Sequence, residues 1–478
     1  MKQLFSLYSP RYPLTLAYML QASEYRGGAY LKWLWRTRDF SSVQYRRQLD
    51  KTSYAKMLLL VLAGGMALEI LAGISLIILG VSGIMAGGLE FGLALIVVYP
   101  LIWSHLVILP LEIGRLLIVE PKQKQQIRQS ETIFHKHPAV KIAVAGSYGK
   151  TSMKEVLNTV LSEGKRVAAT IANENVPVSH AKFASKLAGD EDVLIIEYGE
   201  GEPGDVKRFA SVTNPTHAVI TGLAPAHLDK YKTLNAAGED IFSLADFLNG
   251  KNVYVNAESE PARKFFKASF IKYDQQGVAG WKVGQVNVSI DGISFTLSKG
   301  NKSFKLSSRL IGRHQIGVLS LAAVLANDLG LTAKQIETGI ANTMPFEHRM
   351  QPYKLSGAWI IDDTYNGNID GVKAGTELLK ELKARRKIYV TPGLVEQGPE
   401  KEAVHKQLGR YIAAANPELV VLMKNSVCEF IQDGLREAEY TGQVKIETNP
   451  LNFYTNLEHF VAKDDLVLMQ NDWTDNYA

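Results

Sequence analysis

The sequence predicts an α/β protein in which an apolar helical hairpin precedes two open, mainly parallel-sheet domains. Three observations carry that expectation. Two apolar stretches fill residues 57–110 almost without charge. From about His137 onward, short β-rich runs alternate with helical patterns, the rhythm of strands joined by crossover helices. With 478 residues, 46% of them hydrophobic, the chain exceeds one domain and has apolar material for several cores.

Residues 1–56 come first and are basic. They hold ten Lys/Arg, including Arg11, Arg26, Lys32, Arg36 and Lys51, against three acids, Glu24, Asp39 and Asp50. Within them, Trp33 and Trp35 beside Arg36 and Arg38 suit a helix lying on a membrane surface; the competing reading is an arm packed on the soluble domains. Residues 57–80 are then almost continuously apolar, broken by Glu69, and residues 83–110 form a second run containing Glu90. Each is long enough to cross a bilayer as a helix, and the Gly-rich join at 81–88 predicts a tight hairpin. A buried soluble hairpin is the alternative. Basic residues flank both outer ends, with Arg115, Lys122, Lys124 and Arg128 in a linker at 111–136. That places the protein in the cell membrane with its N-terminus and following domains in the cytoplasm. Glu69 is expected against the partner helix and Glu90 near the far interface. The first apolar run starts too far from the N-terminus for a secretory signal. A single cysteine, Cys428, excludes an intramolecular disulfide and reads as a packed side chain. The net charge of +5 is too mild to argue for a nucleic-acid partner.

The first α/β domain is expected over residues 137–343. Its strands are predicted at 141–145, 166–171, 192–197, 217–221 and 252–256. Residues 281–288, 292–298 and 303–310 then read as antiparallel strands joined by Asp291-Gly292 and Lys299-Gly300-Asn301 turns, and 317–329 as an apolar helix. A boundary follows at 345–350, with a hinge at 342–349. The second domain, 344–478, is read as a Rossmann-like α/β unit with strands at 358–361, 387–391, 419–423 and 466–469.

The chemistry begins at Val144-Ala145-Gly146-Ser147-Tyr148-Gly149-Lys150-Thr151-Ser152, between the first predicted strand and a helical pattern. A strand, a glycine-rich turn, Lys-Thr and a helix make a phosphate cradle. Gly146 and Gly149 allow backbone N–H groups to approach an anionic oxygen, and the helix N-terminus adds partial positive charge. Lys150 would reach the β/γ-phosphates of a nucleoside triphosphate, and the Thr151 hydroxyl would ligate Mg²⁺. An ordinary strand-to-helix turn is the bland alternative. Glu197 ends another apolar strand, which puts a carboxylate at the sheet edge where ligands bind in open α/β sheets. It is the natural second Mg²⁺ contact opposite Thr151.

The short form of this loop, Gly-x-x-Gly-Lys-Thr-Ser, resembles that of the Mur ligases, ATP-dependent amide-forming enzymes of peptidoglycan synthesis related to folylpolyglutamate and poly-γ-glutamate synthetases. Further strings match in order. Asn173-Glu174-Asn175-Val176-Pro177 sits where the family has a substrate-facing turn. The segment Thr221 to Asp229 resembles the family's His-Leu segment, which implies that His227 helps hold a second Mg²⁺. Gly312-Arg313-His314-Gln315 resembles the adenine-contacting segment, with Gln315 in place of the family's Asn. His348-Arg349-Met350 and Asp362-Asp363-Thr364-Tyr365-Asn366-Gly367-Asn368 resemble the nucleotide contacts of the C-terminal domain. These imply Arg349 on phosphate and Asp363 on ribose, with Tyr365 and Asn366 nearby. The last string, and Thr391 to Gly398, lie nearest the D-alanyl-D-alanine-adding branch.

Two departures stand out. The family's lysine after the His-Leu segment, often carbamylated and bridging to the second Mg²⁺, aligns with Gly238; Glu239 or Asp240 is expected to supply the negative charge instead. The soluble domain that grips the UDP-sugar is replaced by the apolar hairpin. The resemblance therefore implies a membrane-anchored, ATP- and Mg²⁺-dependent, ADP-forming amide ligase. It implies a nucleotide- or lipid-linked cell-wall precursor peptide as substrate, and membrane lipid and membrane-bound cell-wall synthesis proteins as partners. The competing readings are a poly-γ-glutamate-type polymer synthetase and a non-catalytic nucleotide-binding membrane scaffold.

Overall fold

The computed structural model describes all residues except 1–4, 24, 38, 41–42, 44–48, 173, 226–227, 366, 396 and 472–478. It divides into two compact units, Met1–Gln125 and Gln126–Ala478.

The first unit is helical. It contains α1 (Tyr12–Ala22), α2 (Gly27–Arg36), α3 (Ser53–Val81) and α4 (Gly88–Leu106). By length and composition, α3 and the helical stretch beginning with α4 are apolar enough to cross a membrane. The Thr52 side chain caps α3 by accepting from the Ala55 N–H at 3.1 Å. The sequence left residues 12–40 as a surface helix or an arm on the soluble domains; here α1 and α2 pack on the hairpin of their own unit. Tyr12, Leu16 and Leu20 share a core with Leu58, Leu62, Met66 and Leu111. The Tyr30 hydroxyl donates to the Ser104 carbonyl at 2.9 Å. Glu69 meets the partner helix as expected, accepting from the Trp103 indole N–H at 2.7 Å. Glu90 lies exposed in the first turn of α4.

The second unit carries two sheets. The larger contains β1 (Val140–Ala145), β2 (Val167–Ala169), β3 (Val193–Glu197), β4 (His217–Ile220), β5 (Val253–Asn256), β6 (Ile271–Asp274), β7 (Gly277–Val278), β8 (Trp281–Ser289), β9 (Gly292–Lys299) and β10 (Lys302–Ser308). Their order is β10-β9-β8-β7-β6-β5-β4-β1-β3-β2. From β2 to β6 the pairing is parallel, and from β6 to β10 antiparallel. The smaller sheet contains β11 (Gln351–Leu355), β12 (Ala358–Asp363), β13 (Arg386–Thr391), β14 (Leu419–Met423), β15 (Gln443–Glu447) and β16 (Asp465–Gln470). Its order is β11-β12-β16-β13-β14-β15, with only β11 antiparallel.

The strand sequences explain the layering. In β1, Ile142 and Val144 face one core with Met153, Val156 and Leu157 of α5 (Lys150–Leu161) and with α8 (Gln315–Asp328). Ala143 and Ala145 face the other core with Ile241 and Leu244 of α7 (Leu234–Phe247). A strand buried on both faces reads as a continuous apolar run, which is why β1 and β3 were legible. Around β1 the chain passes to one side through β2 and β3, then crosses back to β4. That reversal leaves a crevice at the C-terminal ends of β1, β3 and β4.

Candidate active site

The loop between β1 and α5 sits at that crevice. Gly146 and Gly149 have φ of +136° and +72°, a region that favours glycine. A Cβ on Gly146 would run into the Thr221 hydroxyl and lie 2.9 Å from the Gly222 carbonyl. The loop is lashed to the turn after β4: the Ser147 N–H donates to the Gly222 carbonyl at 2.9 Å. The Thr221 hydroxyl bonds the Tyr148 carbonyl and lies 3.2 Å from that of Ala145. Its backbone is therefore fixed before any anion arrives, with the N-terminus of α5 beside it.

Side chains then converge. Thr151, in the first turn of α5, donates through its hydroxyl to Glu197 Oε1 at 3.3 Å. The Asn175 amide donates to the same oxygen at 3.2 Å. Glu197 is buried, and its Oε2 accepts no hydrogen bond; the nearest cation is Lys154 Nζ at 3.5 Å. His180, in the helix α6 (Pro177–Ala184), bonds the Glu197 carbonyl through Nε2 at 2.8 Å. Burial pushes the His180 imidazole down to about 4, so the ring is neutral at physiological pH. Lys150 bonds the Gly146 carbonyl and lies 3.6 Å from Glu200 Oε1, while Ser147 donates to Glu200 Oε2 at 3.2 Å. Ser152 follows in the same first turn.

Glu200, Lys154 and Thr221 were not singled out by sequence reasoning. Lys154 looks like an ordinary lysine in an amphipathic helix, and no local pattern marks its burial. Glu200 lies three residues beyond Glu197, in a loop whose path only the fold fixes.

The expected C-terminal contacts lie on the smaller sheet. Asp363 ends β12; its carboxylate accepts from the Gln470 amide at 2.7 Å and the Met350 N–H at 3.2 Å. Burial pushes its carboxyl up to about 7 against the opposing pull of those bonds and of nearby Arg349. The Arg349 guanidinium lies 4.3 Å from the Tyr365 ring centroid, a cation–π contact. Gln315 opens α8, with its amide nitrogen 2.9 Å from His314 Nε2. Asn173, His227 and Asn366 lie outside the described residues.

At the position aligned with the family lysine, the structure gives a physical reason for glycine. Gly238 is buried in α7, and a Cβ there would overlap the Phe265 ring and lie 3.0 Å from Leu223 Cδ2. A lysine has no room. Glu239 is exposed and accepts from the Asn235 amide at 2.6 Å. Asp240 is buried and held by the Tyr231 hydroxyl at 2.8 Å and the Gly204 N–H at 2.9 Å. Among the described residues no group of three His, Cys, Asp or Glu side chains gathers as a metal cage. Thr151 and Glu197 remain as paired oxygen donors, a set that suits Mg²⁺, which takes few protein ligands and completes its shell with phosphate and water.

Comparison with known proteins places the family. Residues 144–326 match the Mur ligase middle domain, and residues 348–470 match the Mur ligase, glutamate ligase domain. The chain belongs to the Mur ligase family. The UDP-N-acetylmuramoyl-tripeptide–D-alanyl-D-alanine ligase of Escherichia coli is 30% identical over 296 residues, 59% of this chain and 64% of that protein. The Synechocystis enzyme of the same name is 27% identical, over 59% of this chain and 62% of its own length. The chain thus spans a little under two thirds of these curated relatives. Among solved structures, MurF from Acinetobacter baumannii superposes with a TM-score of 0.64 at 18% identity, covering 73% of this chain and 77% of that one. MurF from Thermotoga maritima, solved in complex with ADP, gives 0.63 at 18% identity, covering 73% and 80%. These Mur ligase structures share the α/β fold of the second unit, with its parallel-sheet domains.

Proposed function

We propose that this Mur ligase family member is a membrane-anchored, ATP-dependent amide ligase. It forms ADP and joins a cell-wall precursor carboxylate to a D-alanyl-D-alanine-type amine. The observation that carries the reading is the Thr151–Glu197 pair at the mouth of a pre-formed phosphate loop, with Lys150 beside it. The curated relatives supply the substrate class, since their names specify a UDP-linked muramoyl tripeptide and D-alanyl-D-alanine. The apolar α3 and α4, with large exposed side chains such as Leu60, Leu68, Leu71, Phe91 and Val97, support the anchor.

In this reading the substrate carboxylate attacks the γ-phosphorus of ATP, giving an acyl phosphate and ADP. The amine then attacks the acyl carbon and phosphate leaves. Bound Mg²⁺ would offset charge on the phosphate oxygens. The Gly146–Gly149 backbone and the α5 N-terminus hold the phosphates, and Lys150 neutralises charge on the group in transit. Thr151 and Glu197 would hold the ion. Asn175 fixes Glu197 from the acceptor side, and Asn173 is assigned to the acceptor from the family pattern. His227 is retained as a proposed ligand from the family pattern. Arg349, Asp363 and Gln315 are assigned to the nucleotide, and Tyr365 and Asn366 to its surroundings. Glu239 is carried with His227 as the proposed source of the negative charge that the family lysine would bring.

The scaffold reading draws on Gly238 and the closed space around it. The buried pairing of Lys154 and Glu197 beside Thr151 speaks for catalysis, since burying charges is costly without a use for them. The test starts from membranes washed in alkaline carbonate, where the protein is expected to remain. After detergent extraction, phosphate release with Mg-ATP, UDP-MurNAc-tripeptide and D-Ala-D-Ala should require both substrates and fall at least about 10²-fold in Lys150→Ala. Release that needs neither substrate, or that Lys150→Ala retains, overturns the reading.

A further inference from the structure

Lys154 is a charged side chain at this site to which the reading above gives no chemical role. Its side chain is fully buried in α5, one turn on from Lys150. Buried ammonium groups are rare and need partners. Lys154 Nζ has three: it bonds the Ala172 carbonyl, lies 3.5 Å from Glu197 Oε2 and 3.2 Å from Glu155 Oε1.

These contacts span two parts of the site. Ala172 takes a left-handed backbone, φ +45°, immediately before the turn that carries Asn175. Asn175 closes the circuit: its amide donates to Glu197 Oε1 at 3.2 Å, and its carbonyl accepts from the Gly199 N–H at 2.8 Å. Thr151 holds Oε1 from the phosphate side, and Lys154 approaches Oε2 from behind. Both oxygens of Glu197 are therefore approached by groups that restrict its carboxylate plane, and the charged one also grips the turn backbone.

We propose that Lys154 is a positioning residue that sets Glu197 and the Ala172–Asn175 turn by a single side chain, so that the ion-holding carboxylate and the acceptor-side turn keep a fixed relation. The inference rests on the ligase reading and deepens it. The Lys154 ammonium is engaged by protein groups, the Ala172 carbonyl and the Glu197 and Glu155 carboxylates. It acts through Glu197 and through the Ala172 carbonyl.

The test compares wild type with Lys154→Met, which keeps the length and removes the charge and donors, and with Lys154→Gln, which keeps a donor but no charge. Rates are read at saturating substrate across a Mg²⁺ titration in the detergent-solubilised full chain. Lys154→Met is expected to lower kcat about 10²-fold, the scale of a misplacement near 1 Å. The KM for ATP should stay within about threefold, because the phosphate loop itself is untouched, while the Mg²⁺ needed for half-maximal rate rises. Lys154→Gln is expected to recover part of kcat without restoring the Mg²⁺ dependence. The proposal is overturned by a kcat within threefold of wild type, or by a loss that tracks a smaller folded fraction with KM and Mg²⁺ dependence unchanged. Should neither variant fold, Asn175→Ala reads the same circuit from its other end, and a wild-type Mg²⁺ dependence there also overturns it. If wild type forms no amide bond, the ligase reading fails separately. Mg²⁺-dependent ADP binding by calorimetry then compares wild type with the variants, and an unchanged Mg²⁺ requirement sinks the role of Lys154.

Discussion

Replacing Gly238 with alanine sets two physical effects against each other. Gly238 lies inside α7 without a left-handed backbone, so alanine fits the local conformation. In an open helix that change would stabilise by about 0.8–1 kcal/mol. Here the added Cβ overlaps the Phe265 ring and crowds Leu223, and overpacking of that kind costs about 1–3 kcal/mol. The net expectation is a loss of roughly 0–2 kcal/mol, opposite in sign to the helix rule. A cycle isolates the cause. In a Phe265→Ala background the clash is relieved, and Gly238→Ala should stabilise by about 1 kcal/mol, giving a coupling of roughly 1–3 kcal/mol between the two sites. Thermal unfolding of the four detergent-solubilised proteins measures it, at about 2–4 °C per kcal/mol for a domain of 150–250 residues. If alanine raises Tm equally in both backgrounds, Phe265 does not fill the space and the reason given for the missing lysine is wrong. The larger lysine side chain should be tolerated only once Phe265 is cut back.

Further expectations concern the loop and the C-terminal carboxylate. Glu200 contacts the Lys150 and Ser147 groups that an incoming phosphate needs. Glu200→Gln should tighten ATP binding about three- to tenfold, near 1 kcal/mol; unchanged or weaker binding by calorimetry would show that Glu200 does not compete. Asp363 has its folded carboxyl raised from 3.8 to about 7, so the folded state holds a proton that the unfolded state has lost across that window. Stability contributed by this group should therefore fall as pH rises from about 4 to about 7. Asp363→Asn should flatten that slope in pH-dependent unfolding, and an identical slope would refute the assignment.

How far the sequence reaches differs from element to element. β1, β3 and α8 were legible because strands buried on both faces and a helix buried all round leave apolar runs that neighbours cannot disguise. β6, β7, β11 and β15 were not identified. β11 carries Pro352, and β15 is a largely exposed edge strand; both exist because a partner strand supplies the ladder.

The phosphate loop is a local device. Its glycines, Lys150 and Thr151 are contiguous, so spacing alone marked its place between strand and helix, while its bonds to Thr221 and Gly222 come from the fold. The apolar hairpin was likewise fixed by composition and length. What lay beyond reach depends on residues far apart in the chain. Only the folded chain brings Phe265 onto Gly238 and so excludes a lysine. Only the crossing of β3 beside β1 sets Glu197 between Thr151 and Lys154. Only burial, which no local pattern encodes, turns an ordinary lysine of α5 into a tie between a carboxylate and a backbone turn.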